Sequence, residues 1–238
     1  MAEVRSAMVL AAGLGTRIRA LDVSRPKPLI EVAGRPLLAY ALDAVRAGGA
    51  GRAVVNVHWM ADQVEAWLSG YDALDIALSD ERARLMETGG GLTQAAPLLG
   101  DGPAFCTNTD AILEEGEGGA PAARLAAAWD DEGMDALLLL VPRAATTGYA
   151  GRGDFLLGAD GRLSWPEGRD ADLVFTGLQI ISPRLFAGRE AKPQSTKVFW
   201  DGAMAAGRLF GLVHDGFWMH VGDPDGHAAA EARLGSGR

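Results

Sequence analysis

The sequence predicts an α/β fold: a mixed, mainly parallel sheet covered by helices on both faces, with a small β-rich insert. Three observations carry that expectation. Short apolar runs of strand length alternate with stretches whose apolar residues recur at helical spacing. Glycines and prolines punctuate the chain between these runs. Beyond about residue 145 the texture changes to short apolar pieces separated by Gly- and Asp-rich turns. With 238 residues, 48% of them hydrophobic, the chain can bury a core without disulfides or a structural metal. It reads as a single domain, 1–238, with a β-rich elaboration at about 145–177.

Each element is justified by its local pattern. Residues 7–12 form an apolar run compatible with a strand, broken by Gly13-Leu-Gly15. Pro26, Pro28 and Pro36 punctuate the next stretch of chain. Leu37, Leu38, Ala41, Leu42 and Val45 then mark a helix that Gly48-Gly49 ends. Residues 53–58 read as a buried strand, followed by a helix carrying Val64, Trp67 and Leu68 and a short strand at 75–79. Glycines 89–91 open a helix-like stretch that closes near Leu99-Gly100. Residues 103–107 form a strand running into Asn108-Thr-Asp110, 120–130 is helical, and 136–141 is a strongly apolar strand. This Rossmann-like alternation favours parallel strands joined by crossover helices. In the second half, 154–157, 163–165 and 173–176 are short strand candidates that suggest a meander or hairpin insert. A strand at 178–181, a helix at 198–206, a strand at 209–213, the 218–222 segment and an Ala-rich terminal helix complete the chain.

Composition excludes several function classes. A single cysteine, Cys106, rules out a disulfide framework and any multi-thiolate zinc or iron–sulfur site. Twenty-two Lys and Arg against 31 Asp and Glu give a net charge of -9, which argues against a broad surface for nucleic acid or anionic membrane. No apolar run approaches the length that spans a bilayer, and the start lacks signal-peptide length, so a soluble, cytoplasmic protein is expected.

Two local features point to phosphate chemistry. A strand that ends in Ala11-Ala-Gly-Leu-Gly15 lets backbone N–H groups approach a phosphate without an obstructing Cβ, and Arg17 adds charge-assisted donors. In Pro26-Lys-Pro28, prolines on both sides bias the backbone towards an extended strut that carries Lys27. The loop is not a Walker motif, because Gly15-Thr16-Arg17 stands where Gly-Lys-Ser/Thr is required. It is not the dinucleotide fingerprint either, because Ile18 stands at the third glycine and the next strand ends in Asn56–His58 without an acid.

Taken together, Leu10-Ala-Ala-Gly-x-Gly-Thr-Arg17, Pro26-Lys-Pro-Leu29 and Gly34-Arg-Pro-Leu37 resemble the signature of the sugar-1-phosphate nucleotidyltransferase family. Glu87-Thr-Gly-Gly-Gly91, Asn108-Thr-Asp110, Gly153-Asp-Phe155 and the 218–222 segment extend the resemblance from about residue 7 to 222. Among its branches the chain most resembles the short bacterial N-acetylmuramate-1-phosphate uridylyltransferases. The resemblance implies a nucleotide-diphospho-sugar transferase type of fold. It implies a reaction in which a sugar-1-phosphate oxygen attacks the α-phosphorus of a nucleoside triphosphate. The expected pair is UTP and N-acetylmuramate-1-phosphate, giving nucleotide-sugar and pyrophosphate in peptidoglycan recycling. Guanylyl transfer to mannose- or heptose-1-phosphate and a non-catalytic nucleotide-sugar-binding homologue are the alternatives. Small molecules, with neither nucleic acid nor membrane, are the expected partners.

The resemblance also assigns roles. Ala12, Gly13, Gly15, Thr16 and Arg17 would hold the triphosphate, Arg17 on the leaving pyrophosphate, and Lys27 would neutralise the α-phosphate region. Thr88 to Gly91, Gly90 included, would lie against the base, and Asn108 and Asp154 would contact the sugar. Asp110 would hold Mg²⁺, so Arg17, Lys27 and Asp110 are the expected catalytic groups. Lys197 could reach the sugar phosphate. The family usually carries Asp in a Trp-x-Asp-x-Gly-like segment, where this chain reads Trp218-Met-His220-Val-Gly222. Three readings are open: His220 binds a softer ion such as Mn²⁺, Asp223 or Asp225 substitutes, or Asp110 holds Mg²⁺ with phosphates and water. His58, His214, His227 and Cys106 read as structural. Nothing after Gly222 is long enough for the left-handed β-helix that some members append, so a single reaction is expected.

Overall fold

The structure, a computed structural model, describes residues 3–235. In chain order the strands of four or more residues are β1 (Ser6–Leu10), β2 (Arg52–Val57), β3 (Asp75–Asp80), β4 (Ala104–Asn108), β5 (Ala111–Glu114), β6 (Ala136–Pro142), β7 (Leu173–Ile181), β8 (Leu209–Val213) and β9 (Phe217–His220). The helices are α1 (Leu37–Ala47), α2 (Ala61–Leu68), α3 (Glu87–Leu99), α4 (Pro121–Ala128), α5 (Lys197–Ala205) and α6 (Pro224–Gly235). A seven-stranded sheet has the order β3-β2-β1-β4-β7-β6-β8. Within it β7 runs antiparallel to both neighbours, and every other pairing is parallel. The expected mixed, mainly parallel sheet is therefore what forms.

The central strands are buried on both faces, which is why they read as continuous apolar runs. Alternate residues feed two cores. Ala7, Val9, Val55, Phe105 and Leu139 face one side, where Leu38, Leu42 and Val45 of α1, Val64 of α2 and Leu125 of α4 cover them. Met8, Val54, Cys106 and Leu138 face the other, beneath Leu92 and Leu99 of α3 and Phe199 and Trp200 of α5. Burial pushes the Cys106 thiol up to about 12, consistent with an inert strand residue.

The structure corrects the reading of the second half. Residues 173–176 belong to no insert meander; they join 178–181 in the nine-residue strand β7 of the main sheet. The break in pattern is a β-bulge: the register shifts between Phe175 and Gln179, and Gly177 takes φ +92°. What stands apart is small, a two-residue ribbon in which Leu156 and Leu157 pair with Ser164 and Leu163. A further small sheet, β5-β9 with Thr146–Thr147, was not expected. β5 comes after β4 with only Thr109 and Asp110 between them, without a Gly or Pro to announce it. Its pairing of Ala111 with His220 brings the end of β9 beside Asp110. Among the described residues, no helix is long and apolar enough to cross a membrane.

Candidate active site

A cleft of about 220 Å³ opens at the C-terminal ends of β1, β2 and β4, where open α/β sheets bind ligands. Ala11, Ala12 and Gly13 line one wall, Thr88 at the start of α3 another, and Lys27, Asn108 and Asp110 the floor. Asn56, at the end of β2, turns its side chain under the first loop. Its Oδ1 accepts from the N–H groups of Ala11 (2.6 Å) and Ala12 (3.2 Å). Gly15 has φ +59°, and a Cβ there would lie 2.7 Å from Lys27 Cβ, so only glycine lets the loop close on the lysine stem.

Lys27 is held differently from the extended strut expected. Pro26 is extended, but Lys27–Leu29 forms one 3₁₀ turn, closed by Leu29 N–H to Pro26 O at 2.9 Å. Proline fits the first turn because its missing N–H would be without a partner anyway. The turn aims Lys27 Nζ at Asp110 Oδ2, 2.5 Å away, with both side chains largely buried. His220 Nε2 lies 3.5 Å from the same oxygen, and its Nδ1 faces Gly148 O at 3.2 Å. Burial works to raise the Asp110 pKa, but the Lys27 ammonium and the His220 hydrogen bond together hold it well below the usual carboxylate range. The Asp110 hydrogen bond in turn raises His220, against the effect of its burial.

The remaining expected residues occupy varied positions. Thr16 is exposed, and Arg17 lies outside the cleft lining with its side chain 66% exposed and Asp223 Oδ2 at 4.0 Å. Gly90 is buried away from the cleft: a Cβ would lie 2.2 Å from Lys192 O, and one on Gly89 would lie 2.8 Å from Ser195 O. The first glycines of α3 thus admit the 192–196 backbone, and Gly89 and Gly90 N–H both donate to Gln194 O. Thr88 Oγ1 contacts Thr196 Oγ1 at 2.8 Å. Asp154 does not line the cleft. Its Oδ2 accepts from Phe175 N–H at 2.9 Å and its Oδ1 from Tyr149 Oη at 3.2 Å. Burial, with the facing carboxylate, pushes the Tyr149 hydroxyl pKa up and keeps it a donor. Lys197 starts α5 with Nζ 5.8 Å over the Trp165 ring.

Among the cleft residues that escaped the sequence reading are the polar Asn56 and Glu81. An asparagine inside the apolar run Ala-Val-Val-Asn-Val was a usable signal, since a buried amide needs partners. Glu81 lies among charged residues and offered none.

The donor set meets the needs of a divalent metal only in part. Mg²⁺ is commonly held by one or two carboxylates and completed by substrate phosphates and water, which Asp110 at the cleft floor suits. Among the described residues no group of three or more His, Cys, Asp and Glu forms a complete site. Asp223 caps α6 through Gly226 N–H at 2.9 Å and faces Arg17.

A family model described as the MobA-like NTP transferase domain matches residues 7–147, more than half of the chain. The chain belongs to the MobA-like NTP transferases. The N-acetylmuramate alpha-1-phosphate uridylyltransferase of Caulobacter vibrioides is 46% identical over 233 residues, covering 96% of each chain. The protein of the same name from Neisseria meningitidis is 35% identical, covering 91% of this chain and 92% of that one. The resemblance read from the motifs is borne out, and this MobA-like transferase is an enzyme of the sugar-1-phosphate nucleotidyltransferase type. The fold agrees: the inositol-1-phosphate CTP transferase from T. maritima superposes with a TM-score of 0.78 at 15% identity, over 99% of this chain and 98% of that one.

Proposed function

We propose that this enzyme transfers a uridylyl group from UTP to N-acetylmuramate-1-phosphate, releasing pyrophosphate, as a cytoplasmic step of cell-wall recycling. The observation that carries the reaction type is the Lys27–Asp110 pair on the floor of a cleft walled by the Ala11–Gly13 loop. The choice of base and sugar is supported by the end-to-end similarity to the Caulobacter protein.

The reaction is a displacement. A sugar-phosphate oxygen forms a bond to the α-phosphorus, the bond to the β-phosphate oxygen breaks, and pyrophosphate leaves with the electron pair. Such a step needs positioning and charge neutralisation rather than a side-chain nucleophile. Ala12, Gly13, Gly15 and Thr16 surround the triphosphate in this reading. Arg17, on its exposed arm, receives the leaving pyrophosphate, and Thr88, which lines the cleft, belongs to the base side. Lys27 exchanges Asp110 for the α-phosphate and neutralises charge as it builds there. Mg²⁺ held by Asp110 would supply further neutralisation of the phosphate oxygens; His220 supports the Asp110 carboxylate from behind. Asn108 and Asp154 orient the sugar, Asp154 from the position that Tyr149 and β7 give it. The test is to combine the purified protein and Mg²⁺ with each nucleoside triphosphate and a panel of sugar-1-phosphates, and to follow pyrophosphate. Fastest release is expected with UTP and N-acetylmuramate-1-phosphate. Preference for GTP with a mannose or heptose phosphate would replace this reading, and no release from any pair would end it.

A further inference from the structure

We propose that Glu81 is a positioning residue: acting through Asn56, it fixes the Ala11–Gly13 loop against the first turn of α3, and so sets the width of the nucleotide cleft. This inference rests on the reading of that cleft as the nucleotide site. Glu81 follows β3 directly and is 2% exposed. Among the described residues it forms no ion pair with Lys, Arg or His. A buried carboxylate without a cation is costly unless hydrogen bonds replace its water. Two do. Asn56 Nδ2 donates to Oε1 at 2.7 Å, and Met86 N–H, just before α3, donates to Oε2 at 3.0 Å.

The consequence reaches the loop through the asparagine. An amide side chain has one donor end and one acceptor end, and its partners decide which way it points. Glu81 claims the donor end, which leaves Oδ1 for the N–H groups of Ala11 and Ala12. Were the amide reversed, NH₂ would face two N–H donors. Only an acid at residue 81 accepts from both Asn56 and Met86 at once. A glutamine in its place would offer one acceptor and aim its NH₂ at a donor. The same relay accounts for Gly91, whose Cβ would lie 2.6 Å from Glu81 Oε1 and 2.9 Å from Asn56 Nδ2. The last glycine of Glu87-Thr-Gly-Gly-Gly91 thus makes room for a buried polar bridge inside the protein.

The bridge predicts an exchange experiment. Glu81→Gln alone sets a donor against a donor, and Asn56→Asp alone sets two carboxylates face to face. Together the two isosteric changes reverse the donor and acceptor between the two side chains and rebuild the relay. The introduced glutamine donates its NH₂ to the introduced aspartate and accepts from Met86 N–H through its carbonyl. The aspartate in turn accepts from Ala11 and Ala12 N–H. Each single variant is expected to weaken UTP binding by about tenfold or more, the scale of a buried donor left without a partner. The rise should fall on KM for UTP more than on kcat. Amide hydrogen exchange at Ala11 and Ala12, measured without nucleotide, should quicken to a similar degree. The double variant should return both measurements to within about threefold of the parent, a non-additivity that only coupled groups show. A double variant no better than the weaker single, or singles whose Ala11 and Ala12 exchange is unchanged, would overturn the proposal. If a single variant fails to fold, a folded double variant with parent-like exchange supports the relay, and an unfolded one overturns it. Should the parent bind no nucleotide, the functional reading fails while exchange at Ala11 and Ala12 still decides the relay.

Discussion

The proposed phosphate side of the cleft is made of residues near one another in the chain, whereas the proposed sugar side is assembled from distant segments. On the phosphate side, Ala12, Gly13, Gly15 and Lys27 all come after the single strand β1, and the Gly15 backbone packs directly on the lysine stem. On the other side, Asn108 ends β4, whereas Asp154 is held by Phe175 of β7 and by Tyr149. A site built locally leaves a motif. A site built by tertiary pairing leaves isolated residues whose neighbours only folding reveals.

Substitutions can break this contrast or sharpen it. Asp110→Ala acts where the two sides meet and should have the largest effect. Turnover measured as pyrophosphate release should fall about a thousandfold, the range for removing a preorganised charge, with far-UV circular dichroism unchanged. Activity near that of the parent would refute the central role of the Lys27–Asp110 pair. Gly177→Val tests the sugar side through the backbone. At φ +92° a side chain is strained, and its Cβ would lie 3.1 Å from Asn108 Nδ2. A loss of about 1–3 kcal/mol in denaturant unfolding is expected. KM for the sugar phosphate should rise while UTP affinity, by calorimetry, holds. Equal damage to both substrates would erase the distinction between the sides. His220→Asp should keep or raise Mg²⁺-dependent turnover, because a hard oxygen replaces an imidazole beside Asp110. A collapse across a Mg²⁺ titration would show that the ring itself is needed. Tyr149→Phe is the mildest. It removes the hydroxyl that donates to Asp154 and accepts from Gly153 N–H, so a few-fold rise in KM for the sugar phosphate alone is expected.

The parallel half of the sheet was legible because β1, β2, β4 and β6 are buried on both faces and announce themselves as apolar runs. β7 was not. Its bulge at Gly177 interrupts the pattern, and one strand reads as two fragments on either side of it. Lys27 lies in the cleft lining, yet its 3₁₀ turn was missed, because flanking prolines are compatible with both extended and first-turn backbone. The glycines of α3 were singled out for a ligand's base, whereas Gly89 and Gly90 meet the 192–196 backbone and Gly91 meets Glu81. Sequence reports that a side chain is missing; it does not say what occupies the space.

The direction of β7 has one more consequence. Because β7 runs against its neighbours, the chain leaves the sheet at Pro142 and re-enters it at Leu173, paired across from one another. The excursion between them is pinched shut at its base by Arg143 N–H to Asp172 O, 2.9 Å. A replacement of different length would close on the same two residues, at an entropy cost that grows slowly with length, provided it filled the places of Phe155 and Leu163 in the second core. Under the proposed function, part of the acceptor preference then lies in a segment whose length can vary without breaking a strand of the main sheet.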